Sequence, residues 1–334
     1  MEFEFFIGID VSKATLDLAV RNKKDHLFHL QVTNDTKGLR EFVKKCKQEK
    51  ITAKNSLICM EHTGIYNSIL LEFFHQKNFA LWLENAVQIK RSLGLTRGKN
   101  DKVDAMRISE YALRFNDKLR LWTPPREQLV KLKHLTTLRR RFMDAKNQLK
   151  VPIKESKGFV NKQLQKQLEK LNKQPIEILE AQIKKIEKEI RLLIKSDEHL
   201  SGLFELITSV DGVGQVVFWE IITTTNEFKT ITDPKKYACY SSVAPFEHSS
   251  GSSVRGKSRT SRMGNKNVKK LLHLSAMSAV GMKGEMADYY QRKVAEGKNK
   301  MLVLNAVRNK IIHRIFACVR DGRKYEKIYT HALA

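Results

Sequence analysis

The sequence predicts an α/β domain at the N-terminus and a mainly helical remainder. Three observations carry this expectation. Short strand-like apolar runs alternate with helical spacing over roughly the first 115 residues. A Thr123-Pro124-Pro125 break follows. Beyond that break helical spacing resumes at Gln128 and returns in stretches over roughly the last 60 residues.

The elements follow in order. Phe5-Phe6-Ile7-Gly8-Ile9-Asp10 is an apolar run that ends in a carboxylate, and Leu16-Asp17-Leu18-Ala19-Val20 alternates like a half-buried strand. His26 to Val32 supplies a third strand. Lys37 to Lys47 carries Leu39, Phe42 and Val43 on one helical face. Ser56-Leu57-Ile58-Cys59-Met60 is a strand that again runs into a carboxylate, Glu61. Tyr66 to Phe74 reads as a helix and Phe79 to Leu83 as a short strand. Three strands, a helix, then strand-helix-strand-helix is the order of a ribonuclease-H-like sheet, although alternation by itself says only α/β.

Helical sequence resumes at Gln128. From Lys131 to Lys150 it holds seven Lys/Arg, including Arg139, Arg140 and Arg141, against one acid, Asp144. Pro152 and Gly158 are expected to break that helix, and Pro175 to open another near its first turn. Ile176, Leu179, Ile183, Ile186, Ile190 and Leu193 recur at spacings of 3, 4, 3, 4 and 3, an a/d seam. Such a seam packs on its own domain or forms a coiled coil, within the chain or between subunits. After Leu203, glycine, serine and basic residues gather up to about residue 270, and Lys269–Met282 and Met301–Val319 are helical. The expected domains are 1–122, 123–200 and 201–334.

Composition narrows the function. Of 334 residues, 41% are hydrophobic, enough for real cores. Lys and Arg number 62 against 36 Asp and Glu, a net charge of +26 that points to a polyanionic partner. A metabolic enzyme for small substrates needs no such field. No apolar run reaches membrane-spanning length. The acidic start, Met1-Glu2-Phe3-Glu4, lacks the basic opening of a signal peptide. Cys46, Cys59, Cys239 and Cys318 lie far apart without a CxxC pair, which fits a reducing, cytoplasmic setting with no zinc ribbon.

Three groups of residues can carry chemistry. Asp10 and Glu61 end strands, and Asp101 and Asp104 share one face near the start of a helix, among Lys99, Lys102 and Arg107. Any one of these acids alone is a cap or a surface charge. Together they form a hard-oxygen set suited to Mg²⁺ beside a phosphodiester. Val210-Asp211-Gly212-Val213-Gly214-Gln215 precedes an apolar helix. Gly212 and Gly214 either make a plain turn or present backbone N–H groups to a phosphate, as in a helix-hairpin-helix. Glu247 to Arg262 is a Ser- and Gly-rich stretch. It leads into seven cations and no acid between Arg255 and Lys270: Arg255, Lys257, Arg259, Arg262, Lys266, Lys269 and Lys270. It is a basic loop that touches phosphates, or it contains a serine nucleophile with arginines set for the developing charge. His248 is near in sequence, which is weak support for a base.

Together these residues resemble the DEDD transposases of bacterial insertion sequences, the one-ten group, which includes pilin-gene invertases and bridge-RNA-guided recombinases. The resemblance rests on Phe6-Ile7-Gly8-Ile9-Asp10 with Ser12-Lys13, on Glu61-His62-Thr63-Gly64-Ile65-Tyr66, and on Lys99-Asn100-Asp101-Lys102-Val103-Asp104-Ala105. In the second half it rests on Gly212-Val213-Gly214, Ser250-Gly251-Ser252-Ser253-Val254-Arg255-Gly256 and Arg262-Met263-Gly264-Asn265. His62 departs from the usual small residue. The resemblance implies a RuvC-like N-terminal domain, a coiled-coil linker and a mostly helical transposase domain. It implies Mg²⁺ at Asp10, Glu61, Asp101 and Asp104, and Ser250, rather than its neighbour Ser249, as the nucleophile that joins a 5′ phosphate. The acids of one subunit would work with the serine domain of another, in a homo-oligomer between dimer and tetramer. The implied partners are target and donor DNA and, for some members, a structured noncoding guide RNA that pairs with both. Two other functions remain open at this stage: a RuvC-like nuclease or junction resolvase without a covalent intermediate, and a non-catalytic nucleic-acid-bridging protein.

Overall fold

The computed structural model describes residues 2–92, 94, 100–250 and 254–326, with His248, Ser249, Ser250, Val254, Arg255 and Lys257 described in their backbone only. Lys99 lies outside the described residues. The chain forms two compact units, Met1–Pro124 and Pro125–Ala334. No helix among the described residues is long and apolar enough to cross a membrane.

The first unit is a five-stranded sheet with helices on both faces. Its strands are β1 (Phe5–Val11), β2 (Thr15–Arg21), β3 (His26–Thr33), β4 (Ser56–Glu61) and β5 (Ala80–Glu84). Its helices are α1 (Thr36–Gln48), α2 (Ser68–Gln76), α3 (Ala86–Ser92) and α4 (Asp101–Arg114). The strand order is β3-β2-β1-β4-β5. The leading three strands are antiparallel neighbours, and β4 and β5 run parallel to β1. The alternation seen in the sequence sorts side chains between two cores. Ile7, Ile9, Leu16, Leu18, Ile58 and Met60 pack with Leu39 and Phe42 of α1 and Leu70 and Phe74 of α2. Phe6, Leu57, Cys59 and Trp82 pack with Ile108, Tyr111 and Ala112 of α4.

Gly8 sets how closely α4 lies on that second face. A Cβ at Gly8 would come within 2.2 Å of both Ala105 O and Ser109 N, which are backbone atoms of α4. Only a residue without a side chain lets the helix rest on β1.

The second unit is helical apart from one hairpin. It contains α5 (Glu127–Glu155), α6 (Lys162–Lys195), α7 (Glu198–Thr208), α8 (Gln215–Thr225) and α9 (Pro234–Tyr240). Strands β6 (Pro245–Ser250) and β7 (Val254–Thr260) follow, then α10 (Lys266–Gly281), α11 (Glu285–Ala295) and α12 (Lys300–Asp321). Two expectations about proline fail here. Helix α5 runs through Pro152 to Glu155, and α6 begins thirteen residues before Pro175, at Lys162. Both prolines are exposed, so the carbonyl that each leaves without a backbone donor faces water rather than a dry core.

Helices α5 and α6 pair antiparallel, since Arg139 meets Glu187 at 2.7 Å and Lys146 approaches Glu180 at 3.5 Å. The heptad seam is therefore an intrachain contact over its second half. Ile183, Ile186, Ile190 and Ile194 are buried, and the last three join Leu129 and Leu132 of α5 in the main core of this unit. Arg126, at the start of α5, is bound by Asp197 at 2.7 Å and by the buried carboxylate of Glu227 at 3.0 Å. That pairing ties the helical hairpin to the start of α7 and to the turn after α8. The Ser- and Gly-rich stretch expected as a loop is the β6–β7 hairpin, paired antiparallel from Pro245↔Thr260 to Ser250↔Val254.

Gly8→Ala is expected to push α4 off β1, costing about 1–3 kcal/mol of stability in the first unit as overpacking does. Denaturant unfolding of the full chain checks this, and an unchanged midpoint would mean that α4 does not rest on Gly8.

Candidate active site and nucleic-acid interface

Asp10 lies two residues beyond Gly8, so it shares the face of the sheet that α4 covers. The register brings other acids to the same face. Asp17 of β2 stands directly opposite Asp10. Glu61 is two residues beyond Cys59, which pairs with Gly8, and Glu84 of β5 pairs with Glu61. Helix α4 brings Asp101 and Asp104 in its first turn, where the positive end of the helix dipole favours carboxylates. Asn100 caps that turn, its Oδ1 accepting from Lys102 N at 2.9 Å. The four acids read from the sequence thus belong to one face, and Asp17 and Glu84 join them.

The electrostatics agree with this placement. The carboxyl of Asp10 is raised above its ordinary pKa, first by burial and then by the charges of Asp101, Asp104 and Asp17. The thiol of Cys59 is pushed up by burial and by Glu84 and Glu61. Several neighbours restrain the acids. Arg107 Nη1 donates to Asp104 at 2.9 Å, and Tyr111 Oη donates to Glu84 at 3.3 Å. Asp17, nearly fully buried, is held by His29 Nε2 at 2.8 Å and Gln31 Nε2 at 3.0 Å.

The segment after Glu61 is built to fix that strand end. Asn67 donates from Nδ2 to Glu61 O at 3.0 Å and accepts from Thr63 N at 2.7 Å. Gly64 turns the chain at φ +78°, a conformation that favours glycine. The donor set, carboxylates only, fits a hard divalent cation, and such a cation would offset the burial and the neighbouring charges that raise Asp10. Among the described residues, however, no three Asp, Glu, His or Cys groups gather closely enough to enclose an ion.

In the second unit, Ser250 ends β6 and Arg255 and Lys257 stand on β7, all described in their backbone only. Residues 251–253 lie outside the described set. Arg259, Arg262, Lys266 and Lys270 are exposed. Lys269 is half-buried and donates to Thr260 Oγ1 at 3.1 Å. Two motif residues here have local structural tasks. A Cβ at Gly264 would meet Ser242 Oγ at 2.2 Å, and Asn265 caps α10 by accepting from Asn267 N at 3.0 Å. Gly212, at φ +79°, lets the α7–α8 turn approach α10, since a Cβ there would meet Ser275 O at 2.4 Å. Gly214 is the N-cap of α8, which has no side-chain cap. Of the basic run on α5, Arg140 and Arg141 are exposed, while Arg139 binds Glu187 and stacks 5.4 Å from the Trp219 ring.

Comparison with known proteins adds to this geometry. The family model for DEDD transposases of the IS110 type matches residues 7–156, and that for transposases of the IS116/IS110/IS902 family matches residues 204–291. The pilin gene-inverting protein of Moraxella bovis is 24% identical over 329 residues, covering 96% of this chain and 98% of that protein. Its counterpart in Moraxella lacunata is also 24% identical, over 326 residues, with the same coverage of both chains. A 43.6 kDa protein of insertion element IS110 from Streptomyces coelicolor is 31% identical over 124 residues, 37% of this chain and 30% of that protein.

Asp10→Asn is expected to stabilise the nucleic-acid-free chain at neutral pH. A carboxyl whose folded pKa is raised costs stability once it is ionised, and that cost vanishes as pH falls below its unfolded value. Thermal unfolding should therefore show a gain over the wild type at neutral pH that shrinks toward about pH 4. A variant less stable than the wild type at neutral pH would show that the fold does not penalise the ionised Asp10 carboxylate.

Proposed function

This chain belongs to the IS116/IS110/IS902 family of transposases, and from that premise we propose that it cuts and rejoins DNA through a phosphoserine intermediate under the direction of a guide RNA. One observation supports this most: Asp10, Glu61, Asp101 and Asp104 belong to a single sheet face that α4 closes over, in a chain of net charge +26. Acids that served no purpose would weaken the binding of nucleic acid. We read the unit as RuvC-like on its strand order and on these acids.

The chemistry divides between two parts of the chain. Ser250 Oγ forms the ester to a 5′ phosphate, the bond from phosphorus to the 3′ oxygen breaks, and the freed 3′ oxygen leaves as a hydroxyl. Attack by a second 3′ hydroxyl reverses the step and releases the serine, so no outside energy source is required. Arg255, Arg259 and Arg262 neutralise the negative charge that grows on the phosphoryl oxygens. Mg²⁺ bound by Asp10, Glu61, Asp101 and Asp104 would supply charge neutralisation at the phosphodiester. Arg107 holds Asp104 in place, and Asn67 holds the backbone at Glu61.

The partners follow from charge and from the family likeness. The exposed cations of α5, α10 and the hairpin suit phosphate backbones rather than base edges. Sequence choice is then delegated to pairing between RNA and DNA, with the protein supplying charge and geometry. Two pilin gene-inverting relatives support recombination over simple hydrolysis.

Ser250→Ala should bind RNA and DNA like the wild type and form no covalent protein–DNA adduct on denaturing gels, while Ser249→Ala keeps adduct formation. Free 5′ phosphate ends from the wild type without adduct would replace this reading with that of a nuclease. Alanine at Asp10, Glu61, Asp101 or Asp104 should each reduce recombination to background while leaving RNA binding in place. RNA affinity should fall steeply with salt, with a log–log slope of about 0.7–0.9 per phosphate contact. Flat affinity in a filter-binding series would show that the positive charge serves another partner.

A further inference from the structure

Apart from the acid face and the hairpin, the second unit holds a cluster of positive charge inside its fold. Arg308, in the middle of α12, is only 5% exposed. Burial alone depresses its pKa, and no neighbouring carboxylate among the described residues offsets that burial. Its Nη2 donates to His273 Nδ1 at 2.9 Å and its Nη1 to Asn305 Oδ1 at 3.3 Å. Its Nε is buried without any partner among the described residues. One turn before His273 on α10 stands Lys269, half-buried, which donates to the neutral Thr260 hydroxyl at 3.1 Å. Burial and the charge of Arg308 lower the pKa of both Lys269 and His273.

An arginine buried without an acid is costly, and folds retain it only when something compensates the charge. The neutral task of holding Asn305 against Val243 O does not need a guanidinium. Arginine presents a planar fork of donors matched to phosphate oxygens. Because His273 accepts at Nδ1, it is the neutral tautomer with its proton on Nε2, a further donor. We propose that Arg308, Lys269 and His273 form a phosphate-binding site that takes one backbone phosphate of the bound nucleic acid.

A polymer fits better than a free anion because the site lies within a row of cations. Lys266 and Lys270 flank Lys269 on α10, and Arg259 precedes Thr260 on β7, all exposed. The hydrogen bond from Lys269 to Thr260 joins the site to β7, at the end that pairs with Pro245 of β6. A phosphate seated there would anchor the strand next to the hairpin. The proposal requires a nucleic-acid ligand and does not depend on which serine reacts.

The test uses the full chain, random-sequence duplex DNA across a salt series, and inorganic phosphate as a small-anion probe. Arg308→Met and Lys269→Met should each lower the salt slope by about 0.9, one phosphate contact. Arg308→Met should unfold at the wild-type temperature or above it, since an uncompensated charge is gone. Lys269 is half-exposed, so its variant tests the site even where Arg308→Met fails to fold. An unchanged slope in Lys269→Met would overturn the proposal. So would a lower unfolding temperature in Arg308→Met with an unchanged slope, the mark of a structural arginine. Phosphate that stabilises the wild type but neither variant, with DNA slopes unchanged, would assign the site to a free anion and overturn the nucleic-acid assignment. Failure of the serine chemistry would show differently, as absent adduct with these slopes intact.

Discussion

The contact of α4 with the bare backbone of Gly8 is the constraint on which the first unit's chemistry depends. It lets the first turn of a helix lie on the same sheet face as the ends of β1 and β4. Asp101 and Asp104 then share a face with Asp10 and Glu61. The pKa of Asp10 is raised first by burial and then by the charges of Asp101, Asp104 and Asp17. A fold that only needed stability would have placed apolar or oppositely charged residues there. The cost is carried by the two cores that grip the sheet, and the dipole at the start of α4 offsets part of it.

The second unit shows the same logic with opposite sign. Its cations cluster on α5, β7 and α10, and one of them, Arg308, is buried without a counter-charge. Two partly buried arginines of the unit are paired. Arg126 meets both Asp197 and Glu227, and Arg139 meets Glu187. The contrast separates Arg126 and Arg139, which hold the fold together, from Arg308, buried with no carboxylate partner among the described residues. The glycines divide in a similar way. Gly212 and Gly264 are present because neighbouring atoms of α10 and of Ser242 leave no room for a Cβ.

Much of this was legible in the sequence. Strands β1 and β4 were readable from apolar runs ending in a carboxylate, β2 from alternation, and the four acids from their places at strand ends and near the start of a helix. Asp17 and Glu84 were not readable, because their importance comes from cross-strand register, Asp10↔Asp17 and Glu61↔Glu84. Nothing local to either residue reports that pairing. The helix limits around Pro152 and Pro175 were misread because proline is tolerated where the orphaned carbonyl can be hydrated. The β6–β7 hairpin was missed because Ser, Gly and Lys/Arg carry no apolar alternation. Its pairing is a backbone event that single-sequence patterning does not record. Arg308 gave no signal at all, since a lone arginine in a helix looks like a surface charge until the packing around it is known.

Calorimetric titration of Mn²⁺, standing in for Mg²⁺, tests the central claim most directly. The expected result is one saturable binding event in the wild type that is lost in both Asp10→Asn and Asp104→Asn, since the two acids come from different elements but one site. Retention of wild-type binding by either variant would contradict a shared site on the face that Gly8 and α4 create.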